Sequence, residues 1–271
     1  MRWPVTDALN KLRGRLDAYD LEHAHFWCTT ADGVRIAGTR LGSNPEIAIV
    51  LVHGFMAYRT KRKWRILAEG LAERFTVFTF DLRGHGQSEG ACTGGDAEKL
   101  DVSAVVAYAR THGFGKVVSV GGSLGGIAVI RAAATFKDVD ALVAISTPAL
   151  WGVSDSVAVR RMTFVFMHPV GRALARSLMG TRIHMDWGDP EPPAEMIGRI
   201  APTPVLIVHG ADDHFFPAAD AELLHERAGH PKRLLLKQRF GHSEDGFTGA
   251  FARHLADEIE ELLSPAGTLA P

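Results

Sequence analysis

An α/β architecture, with a mostly parallel central sheet covered by helices on both faces, is what this chain of 271 residues predicts. Three observations carry the expectation. Short apolar runs of strand length alternate with segments of helical periodicity along most of the chain. The runs are continuously apolar, as in strands covered on both sides, and the segments between them are long enough for crossover helices. Finally, 56 residues lie between Thr147 and Pro204, where a crossover needs only about a dozen. Something is inserted there, after the sixth strand.

The elements follow in order. Val5, Leu9, Leu12, Leu16 and Tyr19 recur at spacings of four and three, so residues 5 to 19 read as an amphipathic helix. Its Lys11, Arg13 and Arg15 suit a membrane surface, but packing on the body or on a second subunit, which would make a homodimer, is the preferred reading. His23 to Thr30 and Val34 to Leu41 flank Ala31-Asp32-Gly33 and read as an antiparallel hairpin. Strands are expected near 47–52, 75–80, 116–120, 141–146, 204–209 and 233–238, and helices near 63–73, 96–111, 124–135, 218–228 and 248–263. The lead-in is 1–25, the core 26–147 and 201–263, the insertion 148–200, and 264–271 reads as a disordered tail.

Gly121-Gly122-Ser123-Leu124-Gly125 matches G-x-S-x-G, directly after the apolar run Val117 to Val120 and directly before a helical segment. A serine at the tip of a sharp strand-to-helix turn needs unusual backbone angles, and small neighbours let strand and helix approach. Such a turn makes Ser123 a candidate nucleophile and leaves the amide of Leu124 free to donate to an oxyanion at the helix N-terminus. A serine hydroxyl needs a histidine to take its proton and a carboxylate to hold that histidine. In chains with this turn the order is serine, acid, histidine. Downstream, the apolar run Pro204 to Val208 ends in a loop with two carboxylates, Asp212 and Asp213. His242 follows the last strand. Acid and base thus arrive in the required order.

With these motifs the chain resembles the serine hydrolases of the α/β-hydrolase superfamily, in a capped branch like esterases and lysophospholipases. The resemblance runs from about Asp32 to about Leu263. It also includes His53-Gly54-Phe55 and Asp81-Leu82-Arg83-Gly84-His85-Gly86-Gln87-Ser88, each after a strand. It implies the α/β-hydrolase fold, with a small helical lid as the insertion after strand six. It implies that the amide of Phe55 is the second oxyanion donor. The family pattern HGxxDxxxP, laid on His209 to Pro217, selects Asp213 over Asp212. The alternative acid position used by some relatives holds Ser146-Thr147-Pro148, and serine at the elbow excludes the aspartate chemistry of epoxide and halide relatives.

Within the insertion, the stretch from Trp151 to Trp187 carries four of the seven methionines, Met167 among them, together with Phe164 and Phe166. Flexible and aromatic side chains of this kind line adaptable apolar pockets, although most also serve to hold a lid on its body. Candidate substrate contacts are Met56, Trp151, Phe164, Met167, Trp187, His214 and Phe215. Of the 13 histidines, His53, His85 and His209 are expected to stabilise turns. Arg59, Lys61, Arg62, Lys63 and Arg65 cluster beyond the oxyanion loop. They read as a solvated helix start or, more sharply, as a landing site for a coenzyme A or carrier-protein arm.

Composition narrows the rest. At 46% hydrophobic and 23% charged the chain can bury a full core, and a net charge of −1 gives no global drive toward nucleic acid or an anionic membrane. Partners must be sought locally. Cys28 and Cys92 have neither framework nor metal-ligand spacing and are expected as free thiols. No run suits a membrane span or signal peptide, so a cytoplasmic protein is expected. The expected activity is hydrolysis of esters with small to medium, largely apolar acyl groups, needing no metal or organic cofactor. Thioester hydrolysis, carbon–carbon bond hydrolysis, elimination from an acylated intermediate and a non-catalytic small-molecule receptor are the competing readings.

Overall fold

A computed structural model describes residues 19–152, 156–185, 188 and 190–264. The expected N-terminal helix over 5–19 therefore lies outside the described residues, apart from Tyr19, as do Trp187 and the tail from 265.

The hairpin strands are β1 (His23–Thr29) and β2 (Arg35–Leu41), paired antiparallel over their whole length. Then come β3 (Ile47–Val52), α1 (Arg62–Ala72), β4 (Thr76–Phe80), α2 (Glu98–Thr111), β5 (Lys116–Gly122), α3 (Leu124–Phe136) and β6 (Ala141–Ile145). After the insertion follow β7 (Val205–Gly210), α7 (Ala218–Arg227), β8 (Lys232–Lys237) and α8 (Gly249–Leu263). The sheet order is β1-β2-β4-β3-β5-β6-β7-β8, with β2 antiparallel to β4 and every pair from β4 to β8 parallel. Expected and observed boundaries agree within about two residues, the scatter usual for element ends.

Alternation along each strand sends successive side chains to opposite faces. Ala48, Val50 and Val52 of β3 join one core with Val102 and Val105 of α2, Ile127 and Ile130 of α3, and Leu224 of α7. Ile49 and Leu51 of the same strand join the other, with Trp64, Leu67 and Leu71 of α1 and Leu255 and Ile259 of α8. β6 and β7 divide in the same way. This two-sided burial explains why β3, β6 and β7 read as unbroken apolar runs.

The 56-residue interval is largely helical. Ser156 caps α4 (Val157–Met167) by accepting from the amide of Val159 at 3.1 Å, and His168 caps α5 (Pro169–Leu174). A π-helical turn (Ala175–Met179) ends at Gly180 in the left-handed region, φ 69°. The return leg, α6 (Pro193–Met196) with a 3₁₀ turn (Ile197–Ile200), buries Met196, Ile197 and Ile200 in the core beside α3.

Candidate active site

The C-terminal ends of β3, β5, β7 and β8 converge on one place. At the end of β5, Ser123 has φ 53° and ψ −118°, a region that L-residues rarely occupy. The surroundings hold it there. Its amide donates to the carbonyl of Ile145 at 2.9 Å and its carbonyl accepts from the amide of Ile127 at 3.1 Å. A side chain at Gly121 would run into the backbone of Gly125, and one at Gly125 into the carbonyls of Val52 and His53. Helix α3 can approach β3 and β5 only because both positions are glycine. As the first residue of α3, Leu124 has an amide with no intrahelical acceptor.

The loop after β3 touches the elbow. A methyl group added at Gly54 would lie 3.4 Å from the Ser123 Cβ and the Gly122 carbonyl. Two buried histidines shape this loop. The amide of Leu82 donates to His53 Nε2 at 3.0 Å, so the proton sits on Nδ1, which donates to the Gly54 carbonyl at 2.8 Å. The amide of Met56, itself at φ 53°, donates to His85 Nε2 at 3.3 Å, and His85 Nδ1 donates to the carbonyl of Arg83 at 3.0 Å. Burial pushes His85 down to about 3, which keeps it neutral and able to accept. The Asp81–Ser88 turn thus braces the residue next to Phe55. The sequence motif contained His85, but nothing in its spacing pointed to Met56.

On the loop after β7, the side chain of Asp213 is buried and accepts from both the loop backbone and His242. Its Oδ1 accepts from the amides of Phe215 at 2.8 Å and Phe216 at 3.1 Å. His242 Nδ1 lies 2.8 Å from Oδ2 and 3.1 Å from Oδ1. Burial alone would raise the Asp213 carboxyl, but the hydrogen bond and charge of His242 and the two amides outweigh it, and the net displacement is downward. An ionised carboxylate only accepts, so His242 Nδ1 carries the proton and Nε2 is left as a base. Asp212 is exposed on the same loop. The ring of Phe215 lies 4.4 Å from that of His242 and Phe216 lies 5.4 Å away, which fixes the imidazole plane. His209 sits buried behind, its Nε2 donating to the carbonyl of Phe216 at 3.1 Å.

Ser123 stands at a waist between two cavities. One, of about 660 Å³, opens outward and is lined by Met56, Lys61, Arg161, His214, Phe215, His242 and Asp245, among others. The other, of about 280 Å³, is lined mainly by apolar side chains, including Leu124, Ile127, Leu150, Trp151, Phe166 and Phe216. Phe55, Ser123 and Met162 border both. One carboxylate, Asp220, lines the smaller cavity; burial pushes it upward, and it accepts from the amide of Ala149 at 3.1 Å.

Among the expected contacts, Met56, His214 and Phe215 line the first cavity and Trp151 and Met167 the second. Phe164 does not line either one: its ring stacks on His168 at 4.9 Å and faces outward. The reason is helical phase, which turns Met162, Val165 and Phe166 inward on α4 and Phe164 away. Trp64, Ile127 and Phe216 reach the cavities from the body, with no sequence signal beyond their apolar character.

The basic cluster does not form a common surface. Arg59 is buried, ion-paired with Asp81 and donating to Thr39 Oγ1 at 3.0 Å and Gln87 Oε1 at 2.7 Å. It is spent inside the fold and does not face a phosphate. Lys61 pairs with Glu244 at 2.6 Å, Lys63 donates to the carbonyl of Phe247 at 3.1 Å, and Arg62 is exposed. Cys28 and Cys92 are unbonded thiols, and the described residues contain no group of three or more ligating side chains that could hold a metal ion.

Comparison with known proteins bears on the fold. Residues 47–166 match the model of the alpha/beta hydrolase fold family. The chain is similar to the uncharacterized protein YfhR of Escherichia coli O157:H7, 26% identical over 231 residues, covering 81% of this chain and 72% of that one. It is also similar to the pimeloyl-[acyl-carrier protein] methyl ester esterase of Nitrosomonas europaea, 27% identical over 238 residues, covering 74% of this chain and 90% of that one. The solved structure of the Pyrococcus furiosus esterase Pf2001 superposes with a TM-score of 0.70 at 20% identity, over 97% of this chain and 95% of that one. The chain has the α/β-hydrolase fold. The described residues contain no helix long and apolar enough to cross a membrane.

Proposed function

We propose that this α/β-hydrolase is a serine esterase, with Ser123 as nucleophile, His242 as general base and acid, and Asp213 as the residue that orients His242. The observation that carries the reading is the hydrogen bond between Asp213 and His242 Nδ1, 2.8 Å long, at a cavity lined by both His242 and Ser123. In the proposed cycle Ser123 Oγ attacks the acyl carbonyl while His242 Nε2 takes its proton. The amides of Phe55 and Leu124 receive the oxyanion, where fixed dipoles need no reorganisation. His242 returns the proton to the leaving alcohol. Water, activated by the same nitrogen, then releases the acid from Ser123.

The two cavities suggest the division of the substrate. The smaller, mainly apolar one receives the acyl group, and the larger, with Lys61, Arg161, His214 and Asp245 along its wall, receives the alcohol. The helical insertion over them acts as the lid. Similarity to the pimeloyl-[acyl-carrier protein] methyl ester esterase of Nitrosomonas europaea keeps methyl esters in view as substrates, but Arg59, buried and paired with Asp81, has no part in binding them.

The test is labelling with a fluorophosphonate and hydrolysis of p-nitrophenyl esters by wild type and Ser123→Ala. We expect labelling and turnover to be lost in the variant, with a fall of at least about 10³-fold and an unchanged thermal unfolding curve. A variant that keeps more than a tenth of wild-type turnover overturns the mechanism. Wild-type protein that binds a small ester in the cavity without turnover is instead a receptor.

A further inference from the structure

The smaller cavity beside Ser123 has mainly apolar walls, and yet a carboxylate stands among them. Asp220 lines this cavity and is only 7% exposed. The other polar side chains on the same walls have evident places: Ser123 is the proposed nucleophile, the indole nitrogen of Trp151 donates to the carbonyl of Pro190, and Thr163 is exposed. Local structure explains why this carboxylate is not spent. Asp220 is the third residue of α7, where an acidic side chain commonly turns back to the N–H of the cap residue. Here the cap residue is Pro217, which has no N–H to give. The side chain turns instead toward the loop after β6, where its Oδ1 accepts from the amide of Ala149 at 3.1 Å. Among the described residues no donor reaches Oδ2, and that oxygen is not sealed off from open space.

An acyl chain made only of methylenes would cover this oxygen, exclude water from it and leave a buried acceptor unpaired. A chain with a hydroxyl at the right carbon restores the missing donor, and a site built around a substrate hydroxyl discriminates strongly against the analogue that lacks it. Both charge states of Asp220 serve. Burial pushes its carboxyl upward, against the pull of the Ala149 amide; ionised, Oδ2 accepts from a hydroxyl, and protonated, it donates to one. An ammonium is a poorer match, because it brings three donors and a full charge to walls that hold a single carboxylate. A chain ending in a carboxylate would set like charges together.

We propose that Asp220 determines acyl specificity, and that the preferred acyl group is a mainly apolar chain bearing one hydroxyl, which hydrogen-bonds to Asp220 Oδ2 while the methylenes lie on the apolar walls. The assignment rests on the esterase reading with the acyl group in the smaller cavity, and adds to it the class of substrate.

The test is kcat/KM for methyl octanoate beside methyl octanoates with a single hydroxyl at carbon 3, 6, 7 or 8, for wild type, Asp220→Leu and Asp220→Asn. At one of these positions wild type should prefer the hydroxylated ester by about tenfold or more, the scale of a hydrogen bond to a charged group, and Asp220→Leu should abolish or reverse that preference. Asp220→Asn keeps an acceptor for the Ala149 amide and a donor for the hydroxyl oxygen, and should retain part of it. The ratio of two esters on one enzyme does not depend on how much of a variant is folded. A wild type that favours the plain ester over every hydroxylated one overturns the proposal, and so does a preference that survives in Asp220→Leu, including a uniform fall on all esters, which would make Asp220 only a brace for Ala149. Calorimetric titration of Ser123→Ala with the same esters reads the preference without turnover. A protein that binds the hydroxylated ester selectively but hydrolyses none therefore overturns the esterase reading and leaves the role of Asp220 standing.

Discussion

Replacing Asp213 by asparagine should damage this protein far more than its size suggests, and the hydrogen bonds around the residue show how. Oδ1 of Asp213 accepts from two backbone amides, Phe215 at 2.8 Å and Phe216 at 3.1 Å. Those donors cannot move without moving the loop. An asparagine must therefore put its carbonyl oxygen on them and its NH₂ group toward His242, where Oδ2 now lies 2.8 Å from Nδ1. The NH₂ group is a donor and can only be met by an unprotonated Nδ1. The imidazole proton is driven to Nε2, the nitrogen that takes the proton of Ser123 in the proposed cycle. In a serine protease the same tautomer error costs about 10⁴-fold in kcat, equivalent to about 5 kcal/mol of transition-state stabilisation. Asp212→Asn alters an exposed carboxylate of the same loop and should stay within about 0.5 kcal/mol in stability, as surface changes usually do, with turnover near wild type. The assay is kcat/KM for p-nitrophenyl esters for both variants and wild type. A greater loss in Asp212→Asn, or Asp213→Asn within tenfold of wild type, refutes the reasoning.

Further outcomes are expected elsewhere. In a panel of acyl esters from acetate to laurate, kcat/KM should rise with chain length until the smaller cavity is full, by up to about 0.8 kcal/mol for each methylene buried; Met162→Ala with Phe166→Ala should flatten this rise more than it lowers the rate on acetate, and a wild type that prefers acetate outright contradicts the acyl assignment. Gly121→Ala pushes a methyl group into the backbone of Gly125, whereas Gly115→Ala meets nothing within 4 Å; the first should cost about 1–3 kcal/mol in chemical denaturation and the second should not, and equal stability of the two would remove the steric account of the elbow. Hydrogen bonds from the Arg83 guanidinium hold the Asp32 carboxyl at about 2, below its ordinary 3.8. A depressed folded value stabilises above the unfolded one and loses that contribution as pH falls through the folded one. The thermal advantage of wild type over Asp32→Asn should thus be full above about pH 4 and shrink toward pH 2; a constant difference across that range contradicts the pairing.

Much of this molecule was already written in local pattern. Unbroken apolar runs at 47–52 and 141–145, with helical periodicity between them, determine strands and helices because burial on both faces, or on one stripe, is decided by neighbours a few residues away. The elbow was legible for a similar reason, since Gly121 and Gly125 are required by contacts within one turn of chain and with the adjacent β3. The order of Ser123, an acid and His242 was legible through the family resemblance, although the residues themselves left Asp212 and Asp213 equal.

What the tertiary structure decided depends on contacts between distant segments. Asp213 meets His242 across 29 positions of sequence and His85 reaches Met56 across 29 more, and no local pattern encodes either distance. Arg59 looked like part of a surface cluster because charge in sequence carries no depth; only the packing of β2 and the Asp81 turn shows it buried and paired. The inward face of α4 was hidden for the opposite reason. Phe164, Val165, Phe166 and Met167 are all apolar, so periodicity has no polar side to mark the phase, and which of them line the cavity follows from how the helix sits on the body. The same degeneracy concealed the outward positions of Val170, Leu174 and Leu178: an apolar residue in sequence reads as core, and only its exposure in the fold shows that it is not.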